Sequence, residues 1–92
     1  MQEQYLQHPH FGLLYAISAI GTTKGLFTTL YAQRMFFLVT ELEDHSMQFE
    51  TLGRQQVRQV IEGRLRALRQ GESVAEPEEH DRLKTYYHQH FG

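Results

Sequence analysis

The chain has 92 residues, a formal net charge of −2 and no cysteine. This length suits one small domain, or a small module with a helical appendage, and without cysteine neither a disulfide framework nor a thiolate metal site can support it. No apolar run approaches the roughly 18 residues of a transmembrane helix, the polar residues 1–4 lack the basic start of a secretory signal, and the charge disfavours direct nucleic-acid binding. We therefore expect a cytoplasmic protein that does not contact membranes.

The first half of the chain has the periodicity of short β-strands. Residues 11–19 are apolar at their odd positions, which predicts a strand with one buried face formed by Phe11, Leu13, Tyr15 and Ile17. Two glycines around polar residues predict a turn at 21–25. Further strands are predicted at 26–31 and at about 34–41. Since neither Ala32 nor Gln33 between them favours a positive φ, we expect a sharp bend there rather than a standard two-residue turn.

A polar segment at 43–46 predicts the next turn, and residues 47–51 predict a fourth strand with Met47 and Phe49 on one face. Four short strands within about 50 residues are typical of a small antiparallel barrel. Residues 1–52 are therefore predicted to form a β module.

After Gly53 the hydrophobic period becomes helical, and residues 53–92 are predicted to form a helical hairpin. A first amphipathic helix is expected at about 54–70, with its apolar stripe at Val57, Val60, Ile61, Leu65 and Leu68. Gly71 is expected to end it, and Pro77 suits the first turn of a second helix at about 77–90. The second helix has its apolar stripe at Leu83, Tyr87 and Phe91. Basic residues in the first helix and acidic residues at 72–81 favour antiparallel packing, although exposed ion pairs contribute only ~0–1 kcal/mol each.

The sequence offers little for catalysis or metal binding. His88 and His90 are two residues apart and point to different faces of a helix, and His8 and His10 have no further ligand beside them, so we expect all six histidines to be solvated. There is neither a Gly-x-Ser-x-Gly elbow nor a phosphate-binding loop. We expect no catalytic residues, no metal, no cofactor and no enzymatic activity.

Five arginines occur in the first predicted helix and leave two explanations open. They can form a solvated face paired with the acidic segment, or they can contact an anionic surface, including DNA bound beside a partner protein. Direct RNA or DNA binding by a small barrel is the alternative function. It requires a basic surface on the β module, where the only bases are Lys24 and Arg34.

The strand after Arg34 is apolar on both faces: Phe36 and Leu38 lie on one, and Met35, Phe37 and Val39 on the other. A small module with one core needs only one apolar face. Either the helical hairpin covers the second face, or that face belongs to an exposed partner-binding patch formed by Tyr31, Arg34, Met35 and Phe37.

Several segments resemble the PII-interacting protein X (PipX) family of cyanobacteria. They are YLxHPxFGLLY at residues 5–15, LFxTLYAQRxFFLV at 26–39, Phe49-Glu50, and RLRxLR at 64–69. The resemblance covers nearly the whole chain. It implies an α+β fold, in which a small Tudor-like (SH3-like) antiparallel β-barrel is followed by a C-terminal two-helix hairpin.

The resemblance also implies a transcriptional co-activator in nitrogen regulation. Such an adaptor binds the dimeric activator NtcA when 2-oxoglutarate is plentiful and is sequestered by the trimeric PII signal protein when it is scarce. DNA is then approached only indirectly, beside NtcA, and a further transcription regulator can be bound through the PII complex. The 2-oxoglutarate belongs to the partners. The partner-binding residues implied here are Glu3, Tyr5, Tyr31, Gln33, Arg34 and Phe37, with Met35 in place of a leucine common in the family.

Overall fold

The computed structural model of the chain describes residues 4–30, 35–70 and 78–91. They form a five-stranded antiparallel sheet followed by two helices. The elements are β1 (Tyr5–His8), β2 (Gly12–Ala19), β3 (Lys24–Thr29), β4 (Phe36–Glu41), β5 (Met47–Leu52), α1 (Arg54–Arg69) and α2 (Glu79–His90). The sheet is a curled meander in the order β1-β2-β3-β4-β5, so β1 and β5 are its edges. The predicted α+β class, with a Tudor-like β module before two helices, is confirmed.

The chain folds into two compact units, Met1–Gly53 and Arg54–Gly92, each with its own internal contacts. The core of the first unit consists of Leu14, Phe27, Phe37 and Val39. Phe27 and Phe37 are directly opposite each other on β3 and β4. Met47 and Phe49 both pack against this core, which confirms that they share one face of β5.

The prediction of four strands is wrong, because β1 is a fifth strand at the edge of the sheet. It pairs with β2 from Tyr5 opposite Tyr15 to His8 opposite Gly12. The strand has only four residues and is followed by Pro9, so its periodicity is too short to be recognised. The turn between β1 and β2 closes at Gly12, whose φ of 77° is unfavourable for residues with a side chain.

The predicted core face of β2 is also wrong. Leu14 is fully buried in the core and Ala16 packs against it, whereas Leu13, Tyr15 and Ile17 are only half-buried. Both faces of β2 carry apolar side chains, so alternation alone does not identify the core face. An irregularity in the pairing with β3 between Ala16 and Ser18 further interrupts the alternation.

The two predicted polar turns are present, at 21–23 and 42–46. Ile20 donates its backbone N–H to the Lys24 carbonyl at 2.9 Å across the first turn. In the second, Leu42 donates to the Ser46 carbonyl at 2.9 Å, and His45 has a φ of 68°. The bend predicted at Ala32 and Gln33 lies outside the described residues.

The helical unit is an antiparallel pair, as predicted. Val57 and Ile61 are buried on α1, and Leu83 is buried on α2. Arg54 contacts the His90 carbonyl, Arg58 Nε donates to the Tyr87 hydroxyl at 3.1 Å, and Arg64 Nη2 donates to Glu79 Oε1 at 2.8 Å. Residues that come later along α1 therefore contact residues that come earlier along α2, which makes the two helices antiparallel. Neither described helix is long and apolar enough to cross a membrane.

Candidate partner-binding surface

Three of the predicted partner-binding residues lie within the part of the chain that the structure describes: Tyr5, Met35 and Phe37. Glu3, Tyr31, Gln33 and Arg34 lie outside it. Tyr5 is on the edge strand β1, and its side chain is 58% exposed. An exposed aromatic ring on a strand is available to a partner protein without any rearrangement of the core.

Phe37 is not exposed, so of the two explanations left open for this face of β4, the exposed patch is wrong for Phe37. Its side chain is 1% exposed, because the face of β4 that carries Phe37 and Val39 packs onto Leu14 and Phe27. Phe36, on the opposite face of β4, is buried as well. An effect of Phe37 on partner binding therefore has to pass through the residues that it supports.

Met35 directly precedes β4, and hydrogen bonds from the end of β3 hold its backbone in place. Its carbonyl oxygen accepts hydrogen bonds from the Thr29 amide at 3.2 Å and from the buried Thr28 hydroxyl at 2.9 Å. Leu30, on the other side of residues 31–34, donates its amide to the Leu13 carbonyl at 3.0 Å. The two residues that flank 31–34 are thus both anchored to the sheet. The Met35 side chain is half-buried against the core.

His8 is a structural residue that the sequence analysis missed, and the expectation that every histidine is solvated is wrong for it. Its side chain is buried, and its Nδ1 accepts backbone N–H bonds from His10 at 3.0 Å and from Phe11 at 3.2 Å. Its ring centroid lies 4.9 Å from those of Phe11 and Phe37, and 4.7 Å from that of Phe49. The available signal was its position: a hydrogen-bonding residue directly before a proline often opens a turn.

Three arginines of α1 contact α2, as the first of the two explanations requires, and contact with an anionic surface stays a prediction. Arg64 is largely shielded from solvent in its ion pair with Glu79, and Arg54 and Arg58 also contact α2. Arg66 and Arg69, in the last turn of α1, are exposed.

Within the described residues no group of three His, Cys, Asp or Glu side chains is arranged to hold a metal ion.

The model of one protein family, PipX: PII-interacting protein X, matches residues 2–91. The chain belongs to this family. The match extends over both the sheet and the helices, and it confirms the resemblance seen in the sequence. Membership makes the chain a PII-interacting protein. No curated protein matches it.

For a PII-interacting protein, the described sheet offers few large apolar contacts to a partner. Three large hydrophobic side chains are exposed among the described residues: Tyr5, Phe11 and Leu42. Tyr5 is one of the predicted binding residues. Phe11 and Leu42 were not predicted, and they lie at different ends of the sheet, in the β1–β2 turn and in the β4–β5 turn.

Acidification is expected to destabilise the β module through His8. Burial, and secondarily the nearby His10, lower the pKa of His8, so the unfolded chain takes up a proton before the folded chain does. The stabilising effect of neutral His8 is complete above the usual histidine pKa of about 6.5 and declines as the pH falls below it. We expect the melting temperature to fall more steeply with acidification in the wild type than in His8→Asn. An equal pH dependence in both proteins would contradict this role.

Proposed function

We propose that this chain is a cytoplasmic transcriptional co-activator adaptor in nitrogen regulation, and that it has no enzymatic activity of its own. The observation that carries the proposal is the match of the PipX family model to residues 2–91. In this function the chain binds NtcA when 2-oxoglutarate is abundant, and PII sequesters it when 2-oxoglutarate is scarce. PII binding is the part that family membership already gives.

The mechanism is exclusive binding of two partners by one surface. If both partners require the residues around 31–34, occupation by one partner excludes the other, and the partner with the higher effective affinity holds the chain. The chain needs no 2-oxoglutarate site for this exchange, because the effector changes the affinity of the partners. Leu30 and Met35 are each anchored to the sheet by backbone hydrogen bonds, which supports a binding segment whose ends are fixed before a partner arrives.

Exclusive binding is tested by co-purification of the tagged chain with PII and NtcA, with and without 2-oxoglutarate and ATP. We expect NtcA to be retained when 2-oxoglutarate is present and PII to be retained when it is absent. Adding an excess of either partner should release the other. A complex that contains both partners at once, or partner retention that does not respond to 2-oxoglutarate, would contradict the proposal.

Direct binding of nucleic acid is the alternative, and the charge distribution disfavours it. Lys24 is the only Lys or Arg on the five described strands, whereas the exposed Arg66 and Arg69 belong to α1. We propose that DNA is approached only beside NtcA. An electrophoretic shift assay separates the two functions, because strong binding of the isolated chain to DNA or RNA at physiological salt would favour the alternative.

A further inference from the structure

Phe11 is an exposed hydrophobic residue whose backbone and ring are both held by neighbouring side chains. Its side chain is 45% exposed. Its backbone N–H is bound to His8 Nδ1, and its ring centroid lies 4.9 Å from that of His8 and 5.7 Å from that of Phe37. An exposed aromatic ring that is already fixed loses little conformational entropy on binding, which is the property of an interface anchor.

His8 connects the turn that carries Phe11 to the opposite edge of the sheet. The ring of His8 on β1 contacts Phe49 on the other edge strand β5 and Phe37 on β4. The Nδ1 atom of the same ring accepts the amides of the turn. The His8 side chain therefore connects the turn to the rest of the sheet. Its Nδ1 binds the turn amides, and its ring packs against β4 and β5.

We propose that Phe11 is a contact residue for PII and that His8 is the positioning residue that holds it in place. This assignment rests on the proposed function, because it takes the PII surface to include the region of Phe37. Phe37 is buried directly beneath Phe11, so the predicted contribution of Phe37 to binding is exerted through Phe11. The exposed face of the Phe11 ring requires an apolar recess on PII.

The first test is the affinity of Phe11→Ala for PII, measured by isothermal titration calorimetry on the full chain. We expect the dissociation constant to rise at least about tenfold, as for an interface anchor. Leu42→Ala is the matched control, since Leu42 is 43% exposed and lies in the β4–β5 turn. The control should bind as tightly as the wild type. Unchanged affinity in Phe11→Ala, or an equal loss in Leu42→Ala, would overturn the assignment.

A second variant separates contact from folding, because removal of the Phe11 ring also uncovers Phe37. Phe11→Lys keeps an aliphatic stem over Phe37 and places an ammonium group where the exposed ring was. We expect this variant to fold, as judged by circular dichroism, and to bind PII at least about tenfold more weakly. Wild-type affinity in the folded Lys variant would reject Phe11 as a contact.

The positioning role of His8 is tested by two substitutions that retain different halves of its function. In His8→Asn the side-chain oxygen can accept the turn amides as Nδ1 does, whereas His8→Phe keeps the aromatic contacts and has no acceptor. We expect His8→Phe to weaken PII binding about as much as Phe11→Ala, and His8→Asn to recover most of the affinity. If Asn binds as weakly as Phe, or if Phe binds like the wild type, the positioning role is wrong.

The PII affinity of Tyr31→Ala distinguishes an error in the role of Phe11 from an error in the proposed function. Loss of PII binding in Tyr31→Ala with unchanged binding in Phe11→Ala would reject the role of Phe11 and leave the proposed function standing. Unchanged binding in both variants would reject the Tyr31 surface as well.

Discussion

Replacing Phe37 with alanine is expected to lower the free energy of unfolding by about 3–5 kcal/mol. The side chain is 1% exposed and packs among Leu14, Phe27 and Val39, so its removal loses apolar burial and leaves a cavity. This loss is a large fraction of the about 5–15 kcal/mol by which folded domains are usually stable. Chemical denaturation followed by circular dichroism measures it directly. A stability within about 1 kcal/mol of the wild type would contradict the burial of Phe37.

Phe27→Ala is the matched control for Phe37→Ala. Phe27 is equally buried and lies directly opposite Phe37 on β3, but no role in partner binding is predicted for it. The two alanine variants should lose similar stability. Phe37→Leu fills more of the site and should lose less. If folded Phe37→Leu binds PII more weakly than folded Phe27→Leu, the difference measures the support that Phe37 gives to Phe11. Equal affinities would mean that Phe37 acts on binding only through general stability.

The helical half of the fold could be predicted from sequence because its signal is redundant. The stripe that includes Val57 and Ile61 continues over about three turns of α1, and the partner stripe at Leu83 has a similar period. Opposite charge then favoured antiparallel packing, and the ion pair between Arg64 and Glu79 is the contact that this reasoning requires. Such a pattern tolerates errors at single positions without changing the assignment.

The sheet was predicted less completely because its faces are chemically similar. Both faces of β2 and of β4 carry large apolar side chains, so a period of two gives the strand but not the side that faces the core. This is why alternation left an exposed patch open as an explanation for Phe37, whose side chain lies in the core. β1 is too short for its period to be recognised. In both cases the information is in the strand pairing, which sequence alternation does not contain.

The candidate surface depends on two kinds of knowledge. The strand pattern had suggested a patch with Tyr31 and Arg34 but left core packing as an equal explanation. The family resemblance favoured the patch and added Gln33. Phe11 and His8 came from the structure, since only the fold brings the β1–β2 turn over Phe37. A lone histidine before a proline does not indicate in sequence whether its ring will be solvated or enclosed by three phenylalanine rings.

Replacing Tyr31 with alanine is expected to weaken both the PII and the NtcA complexes, each by about 2 kcal/mol or more, which corresponds to about thirtyfold in the dissociation constant. Tyrosine is among the residues that dominate interface energies, because one rigid side chain supplies apolar area and a hydrogen-bonding group. Calorimetric titration of the variant with each partner measures the effect. Tyr31→Phe separates the ring from the hydroxyl and should retain the larger part of the affinity if apolar area dominates.

The comparison of the two partners decides between shared and separate surfaces. If one surface serves both, Tyr31→Ala weakens both complexes. Undiminished binding of both partners would reject the shared surface. Loss of one complex alone would mean that PII and NtcA use different residues, and exclusion would then have to arise from steric overlap between the partners. Phe11→Ala measured against NtcA extends the comparison to the β1–β2 turn: weakened PII binding with unchanged NtcA binding would mark the turn as the part of the surface that distinguishes the two partners.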